Sequence, residues 1–327
     1  MNTDKTEKEN RMDNINKMKS FIMNFSLNDC KPHGNQGYKR VLLQLFGYLG
    51  HGKSSFINTC KYVLEEGAYK IYSDVGSSDG GKTTKRISYP LTSNITLVDN
   101  RGCAMMSDQE TGEIYAQLSN LLPLDQEVQW QRGYMGIMTR MVEADKNANY
   151  SDFIVPIFVY SVKKGISDEE LPEIKKLIKN AWDLTGIIPI VVLTFKNQGN
   201  VTDVEAKFNN IGIDYIFKLE NFTINENNKD ADRCEEVLMF LSEILKDVEF
   251  HMRDTRNCKK ERAERKKFVL GFAHDTEVNE EKRQKDMELE REREQARQRQ
   301  REEERRRREE EERRRQEEKN KGGCSIQ

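Results

Sequence analysis

Apolar residues in the first 250 positions fall into short unbroken runs, divided by stretches where they recur every third or fourth place. Val41-Leu42-Leu43-Gln44-Leu45-Phe46, Ile95-Thr96-Leu97-Val98 and the segments 153–160 and 187–194 read as strands buried on both faces. Tyr215-Ile216-Phe217 reads as a shorter one, and 86–99 as two strands with a turn at Pro90 to Asn94. Pro156 sits awkwardly in a central strand, because it has no N–H for the ladder. Between the runs, 168–183 (Leu171, Ile174, Ile178, Ala181) and 233–249 (Val237, Leu241, Ile244, Val248) keep helical spacing, and a short helix is expected near 203–210. Such alternation predicts an α/β domain with a mostly parallel sheet and helices on both faces. Residues 103–150 are of mixed character and read as a second switch and an insertion, whose apolar side chains pack. Residues 1–38 are polar; Met18, Phe21, Ile22 and Phe25 allow either a packed helix or a disordered leader.

Composition alters this picture mainly at the C-terminal end. Charged residues make up 34% of the 327, and apolar ones only 36%. The excess is local: residues 251–327 hold 25 of the 54 Lys and Arg and 21 of the 56 Asp and Glu. The first 250 residues are therefore mildly acidic, which argues against nucleic acid as a partner. From about 279 the chain is almost wholly Glu, Arg, Lys and Gln. Glu302–Arg306, Glu303–Arg307, Glu304–Arg308, Glu309–Arg313 and Glu310–Arg314 fall at the favourable i, i+4 spacing. There is no apolar seam for a coiled coil, so a solvated single helix of roughly 65 Å over 279–321 is expected. The six cysteines show no zinc-ligand spacing, no stretch reads as a signal peptide, and no apolar run is long enough to span a membrane. Reduced thiols in the cytoplasm are expected.

Candidate chemistry begins at Gly47-Tyr48-Leu49-Gly50-His51-Gly52-Lys53-Ser54, followed by Ser55. The pattern is G-x-x-x-x-G-K-[ST], placed after a strand and opening a helix. Gly47, Gly50 and Gly52 would let backbone N–H groups face phosphate oxygens, Lys53 would neutralise the β- and γ-phosphates, and Ser54 would ligate Mg²⁺. Some 45 residues later a strand ends in Asp99-Asn100-Arg101-Gly102. There a carboxylate would hold the magnesium shell, and the Gly102 N–H would meet a γ-phosphate. The Gly- and Ser-rich stretch between them suits a switch loop; Thr83 or Thr84 would add a Mg²⁺ contact, and Thr84 is taken as the candidate. At the base end, Thr194-Phe195-Lys196-Asn197 lies where GTPases carry [NT]-K-x-D. Asn197 replaces the acid that reads guanine, Lys196 could stack on the base, and Asn221 in Leu219-Glu220-Asn221-Phe222 would lie on a second base-side loop. The predicted ligands are GTP or GDP with Mg²⁺.

These residues together resemble the interferon-induced protein 44 family of vertebrate P-loop proteins over about residues 38–250. The resemblance rests on Gly-Lys-Ser-Ser-Phe-Ile-Asn at 52–58, Thr-Leu-Val-Asp-Asn-Arg-Gly at 96–102, Val-Val-Leu-Thr at 191–194 and Ile-Phe-Lys-Leu-Glu-Asn-Phe at 216–222. It implies a Ras-like GTPase domain, cytoplasmic residence and a part in immune responses. Gly50 stands where guanylate-binding proteins carry a P-loop arginine. Leu49 fills a position that is often glycine in Ras-like proteins, and Cys103 stands where many Ras-like enzymes carry a water-orienting glutamine. Slow intrinsic hydrolysis is therefore expected. The chain ends Gly322-Gly323-Cys324-Ser325-Ile326-Gln327, a C-a-a-X pattern that would take a farnesyl group on Cys324. One such chain gives only marginal, reversible binding to internal membranes. Some guanylate-binding proteins likewise join a GTPase-type domain, a helical extension and a prenyl site. The expected organisation is a leader over 1–38, a GTPase-like domain over 39–250, a charged helix over 251–321 and a lipidation motif over 322–327. The expected role is a GTP-binding switch or self-assembling factor, with homo-oligomers as partners. The alternatives are an ATP-binding P-loop protein and a catalytically silent scaffold.

Overall fold

The computed structural model describes residues 2–73, 85–126, 133–145, 151–226 and 228–322. The chain forms two compact units, Met1–His274 and Asp275–Gln327. The first is built on a six-stranded sheet: β1 (Arg40–Phe46), β2 (Ile87–Pro90), β3 (Ile95–Asp99), β4 (Asp152–Ser161), β5 (Ile190–Thr194) and β6 (Ile216–Lys218), in the order β2-β3-β1-β4-β5-β6. All pairings are parallel except β2 with β3. This is the Ras-like P-loop arrangement. From β1 the chain goes on to β3 on one side and later to β4 on the other, and a crevice opens at the carboxyl end of a strand flanked this way. The loop after β1 therefore lies at that crevice.

Alternation of side chains divides the core in two. Phe153, Val155, Ile157 and Val159 of β4 face one layer, made by α1 (Asn2–Asn24), α2 (Lys53–Leu64) and α7 (Ala231–His251). Phe158 and Tyr160 face the other, made by α3 (Asp108–Leu118), α4 (Gly133–Asp145), α5 (Glu170–Thr185), α6 (Val201–Asn210) and the first turns of α8 (Cys258–Gly322). Pro156 is accommodated because β5 pairs with β4 only from Ile157 onward, so the proline precedes the stretch that is paired on both sides. The N-terminal segment is a helix that packs on α7, with Ile22 and Phe25 buried in the core and Arg11 bonded to Glu235 at 2.6 Å.

The globular unit extends past residue 250, because α8 begins with a second apolar face. Val269 and Ala273 are buried, and Phe268, Leu270 and Phe272 pack against the same core. Charges around them are engaged: Arg265 Nε donates to the Ser119 carbonyl at 2.9 Å, and Arg262 and Lys266 both pair with Asp145. In the second unit α8 is exposed from Glu281 to Glu318 and carries i, i+4 pairs, among them Arg307–Glu303 at 2.9 Å and Arg314–Glu310 at 3.2 Å. Each contributes only a few tenths of a kcal/mol, and a helix without an apolar face depends on many of them.

Candidate functional site

The P-loop leaves β1 at Gly47 and curls into α2 through three left-handed glycines, Gly47 (φ 131°), Gly50 (φ 74°) and Gly52 (φ 87°). At Gly47 a side chain is excluded outright, since a Cβ would lie 2.5 Å from the Val159 carbonyl oxygen. Gly52 is the residue before α2, and no side chain caps the first turn of that helix. The loop is tied to the strand beside it. Leu49 N donates to the Cys103 carbonyl at 2.9 Å and Cys103 N to that of Gly47 at 3.2 Å.

Lys53 folds back under the loop, only 7% exposed, and its ammonium donates to the carbonyls of Tyr48 (2.7 Å) and Gly47 (3.2 Å). Gly102 passes directly over it: a Cβ there would come within 2.6 Å of Nζ. Asp99, buried at the end of β3, accepts from the hydroxyls of Ser54 (2.8 Å) and Ser73 (2.9 Å) through Oδ2. Its other oxygen, Oδ1, is buried with no hydrogen-bond partner among the described residues. Burial lowers the lysine's pKa while Asp99 opposes the shift; burial raises the aspartate's, against Lys53 and the two hydroxyls. Ser55 lies half-buried in the first turn of α2. Thr83 and Thr84 lie outside the described residues, as does Cys324.

His51 is turned away from the loop's concave side. Its ring packs on Tyr48 and Tyr160, and Nδ1 accepts the Ser161 N–H at 3.1 Å. Burial, with Lys53 and Lys164 adding to it, pulls its pKa down to about 3, so the imidazole is neutral and serves as a brace. The segment after Gly102 is also tied down. Ala104 N and Met105 N both donate to Glu110, at 2.7 and 3.1 Å. The Cys103 thiol is buried and pushed up to about 12, chiefly by that burial, so it is a neutral group and a poor base.

At the expected base end three segments meet at Gly52. A Cβ on that glycine would touch Asn221 Nδ2 (3.2 Å), Thr194 Oγ1 (3.3 Å) and the Phe195 ring (3.4 Å). Thr194 donates to the His51 carbonyl at 2.8 Å, linking the end of β5 to the P-loop. Asn221 Nδ2 reaches the Gly52 carbonyl at 3.4 Å, and its Oδ1 is buried without a partner among the described residues. Lys196 is held elsewhere: its ammonium bonds Glu236 of α7 at 2.6 Å. The residue beside the P-loop is Phe195, in a left-handed conformation (φ 56°) with Lys163 over its ring at 3.8 Å. Asn197 is exposed, and its backbone N–H donates to Glu220 Oε2 at 3.1 Å.

No protein-family model matches the chain, and no curated protein matches it significantly. Solved structures similar to it include Toc33 from Arabidopsis thaliana in complex with Mg²⁺ and GMPPNP, at 14% identity over 66% of this chain and 87% of that one, with a TM-score of 0.37. The same protein with GDP and Mg²⁺ gives 15%, 67%, 88% and 0.36. Translation elongation factor SelB from Methanococcus maripaludis, in complex with the GTP analogue GppNHp, gives 14%, 64%, 34% and 0.33. The chain thus spans about a third of that factor's length. Likenesses this weak carry no residue's role over to this chain.

Two features at the site leave no mark in the local sequence. One is Phe195, an ordinary core residue by pattern. The other is Arg86, wholly buried before β2, whose guanidinium donates to Asn100 (3.0 Å), Gln44 (2.8 Å), Asn120 (2.8 Å) and the Leu122 carbonyl (2.5 Å). Asn100, inside the D-x-x-G segment, in turn donates to Gln44 and to the Leu45 carbonyl, both at 3.0 Å. An arginine three residues before an aromatic in a short strand gives no sequence signal of such a hub.

Proposed function

We propose that the chain binds a guanine nucleotide with Mg²⁺ at the P-loop and acts as a slow GTPase-type switch. The observation that carries this reading is a buried lysine and a buried carboxylate, one of whose oxygens has no hydrogen-bond partner among the described residues, brought together at one loop. Lys53 and the unpartnered Asp99 oxygen flank a loop whose glycines leave room for main-chain approach. A phosphate chain supplies acceptors for the one, and the donor set beside the other suits a hard cation. The Ser54 hydroxyl and Asp99 are the groups that would hold Mg²⁺, whose charge would neutralise the β- and γ-phosphate oxygens. Lys53 would exchange its two carbonyl acceptors for phosphate oxygens. Gly47, Gly50, Gly52 and the uncapped start of α2 would line the phosphates, with the Gly102 N–H closing from the other side.

Hydrolysis is expected to be slow. The neutral Cys103 thiol cannot orient water as a carboxamide does, and His51 is turned toward Tyr160. The resemblance to the interferon-induced protein 44 family supports an immune role, and the C-a-a-X ending supports a farnesyl tether. The exposed amide at Asn197, in place of an acid, favours ATP as the second reading.

Mass spectrometry of the nucleotide that copurifies with the full chain tests the first proposal. GDP or GTP is expected; ADP or ATP would replace the guanine reading by the second, and a protein that neither retains nor takes up any nucleotide would remove both. For the tether, Cys324→Ser is expected to move the protein from the membrane to the soluble fraction of expressing cells. An unchanged distribution would dispose of the lipid.

A further inference from the structure

We propose that the base is read by Glu220, from the loop after β6, in place of the acid missing at position 197. The inference rests on the guanine-nucleotide reading above and locates its selectivity. Guanine presents two adjacent donors on its Watson–Crick edge, N1–H and the exocyclic amine. A carboxylate answers both with its two oxygens, whereas a carboxamide has one acceptor and one donor and opposes one of them. Asn197 therefore cannot serve as the matching group.

The neighbouring strand brings a carboxylate to the same spot. β6 pairs with β5 in register, Leu193 beside Lys218, so the two loops leave the sheet side by side. Leu219 N donates to the Leu193 carbonyl at 2.8 Å, which anchors the start of the β6 loop. Asn221 on Gly52 and Phe222 N on Thr59 Oγ1 (3.0 Å) anchor its continuation. Glu220, between these anchors, is half-buried and sends Oε2 to the Asn197 backbone N–H at 3.1 Å. Oε1 makes no hydrogen bond among the described residues. The β5 loop is itself held in place, with Thr194 bonded to the P-loop, Phe195 left-handed beside Gly52, and Gln198 N closing a tight turn onto the Phe195 carbonyl at 2.9 Å. A rigid backbone on both sides, one side chain of the correct charge and an oxygen to spare together give the geometry of an acceptor delivered from one loop to the tip of the other.

A mere brace for the β5 turn would make the same bond to Asn197, so the test must change base chemistry and keep the brace. Glu220→Gln does this. The amide oxygen can still accept the Asn197 N–H, while the group now offers one acceptor and one donor, the complement of xanthine's N1–H and O2. In the full chain with Mg²⁺, titrated with fluorescently labelled GDP, XDP and ADP, wild type is expected to prefer GDP. Glu220→Gln is expected to lose GDP affinity by about 10- to 100-fold and to gain XDP affinity, inverting the ratio. A variant whose GDP-to-XDP ratio matches wild type overturns the proposal, since it makes Glu220 a brace only. Wild type binding XDP more tightly than GDP also overturns it, by assigning the reading to the Asn197 amide. Wild type binding none of the three diphosphates removes the nucleotide reading itself, a result distinct from both. Should Glu220→Gln fail to fold, Asn197→Asp in the otherwise native chain serves instead. The ratio is expected to change by less than about threefold, because a carboxylate already stands there, and a gain of tenfold or more in GDP over XDP would overturn the proposal.

Discussion

In the proposed nucleotide site, the phosphate end and the base end are built on different principles. At the phosphate end, one loop of eight residues supplies the curl, the buried lysine and the hydroxyl, with the lysine held by carbonyls of its own loop, and one strand end, 45 residues on, supplies the carboxylate. At the base end, the groups are held by partners on other loops and helices: the Thr194 hydroxyl by His51, the Lys196 ammonium by Glu236, the Asn197 backbone N–H by Glu220 and the Asn221 amide by Gly52. Gripping a phosphate needs main-chain shape and charge, which a contiguous stretch can encode. Discriminating a base needs side-chain acceptors at defined points, which loops from separate strands can supply in more than one way. The first end keeps the G-x-x-x-x-G-K-[ST] spacing, with departures at Leu49, Gly50 and Cys103 that leave it intact, while the second lacks the motif's acid at Asn197.

Three substitutions probe this contrast, the most damaging being at the phosphate end. Lys53→Ala removes the buried cation and is expected to weaken nucleotide binding by on the order of 100- to 1,000-fold or more, read by isothermal titration. Retained affinity would mean that the backbone alone grips the ligand. Thr194→Val cuts the bond that joins the two ends. A loss of about 1 kcal/mol in stability, and about tenfold in nucleotide affinity, is expected from urea unfolding and titration. Unchanged affinity would show that the ends act independently. The third effect is at His51, and it depends on pH. Its folded pKa, about 3, lies below the ordinary value of 6.5, so the unfolded chain takes up a proton first as pH falls. The stability involved is present in full above pH 6.5 and declines below it, by at most about 1.4 kcal/mol per pH unit. His51→Gln should lack this decline between pH 7 and 5, and equal slopes in urea titrations would contradict the buried neutral imidazole.

The strands, the order of elements and the P-loop were legible in the sequence because each depends on local periodicity or on contiguous spacing. The start of α8 was not. Arg262, Arg265, Lys266 and Lys267 read as the opening of the charged tail, whereas most of these charges are consumed by Asp145 and the Ser119 carbonyl while Val269 and Ala273 enter the core. In α1 the apolar positions occupy only the second half, so its pattern is weak, and its first half is held by Arg11 on α7. Phe195 was hidden for another reason: a left-handed phenylalanine is set by tertiary contacts, since local preference runs against it. Lys196 was expected at the base because the motif's spacing places a cation nearby, and an acid on α7 claims it instead.

Arg86 has a mechanical consequence. Its single dry guanidinium fastens together β1 at Gln44, the D-x-x-G segment at Asn100 and the insertion at Asn120 and Leu122. A donor sealed from water cannot release one acceptor and wait for another, because a stranded buried donor costs roughly 1–3 kcal/mol. Displacement of Asn100 must therefore carry its neighbours along or stop at the hub. Ser119, which precedes Asn120, holds Arg265 of α8 through its carbonyl, so the same rivet makes the insertion and the first turns of that helix travel as one piece.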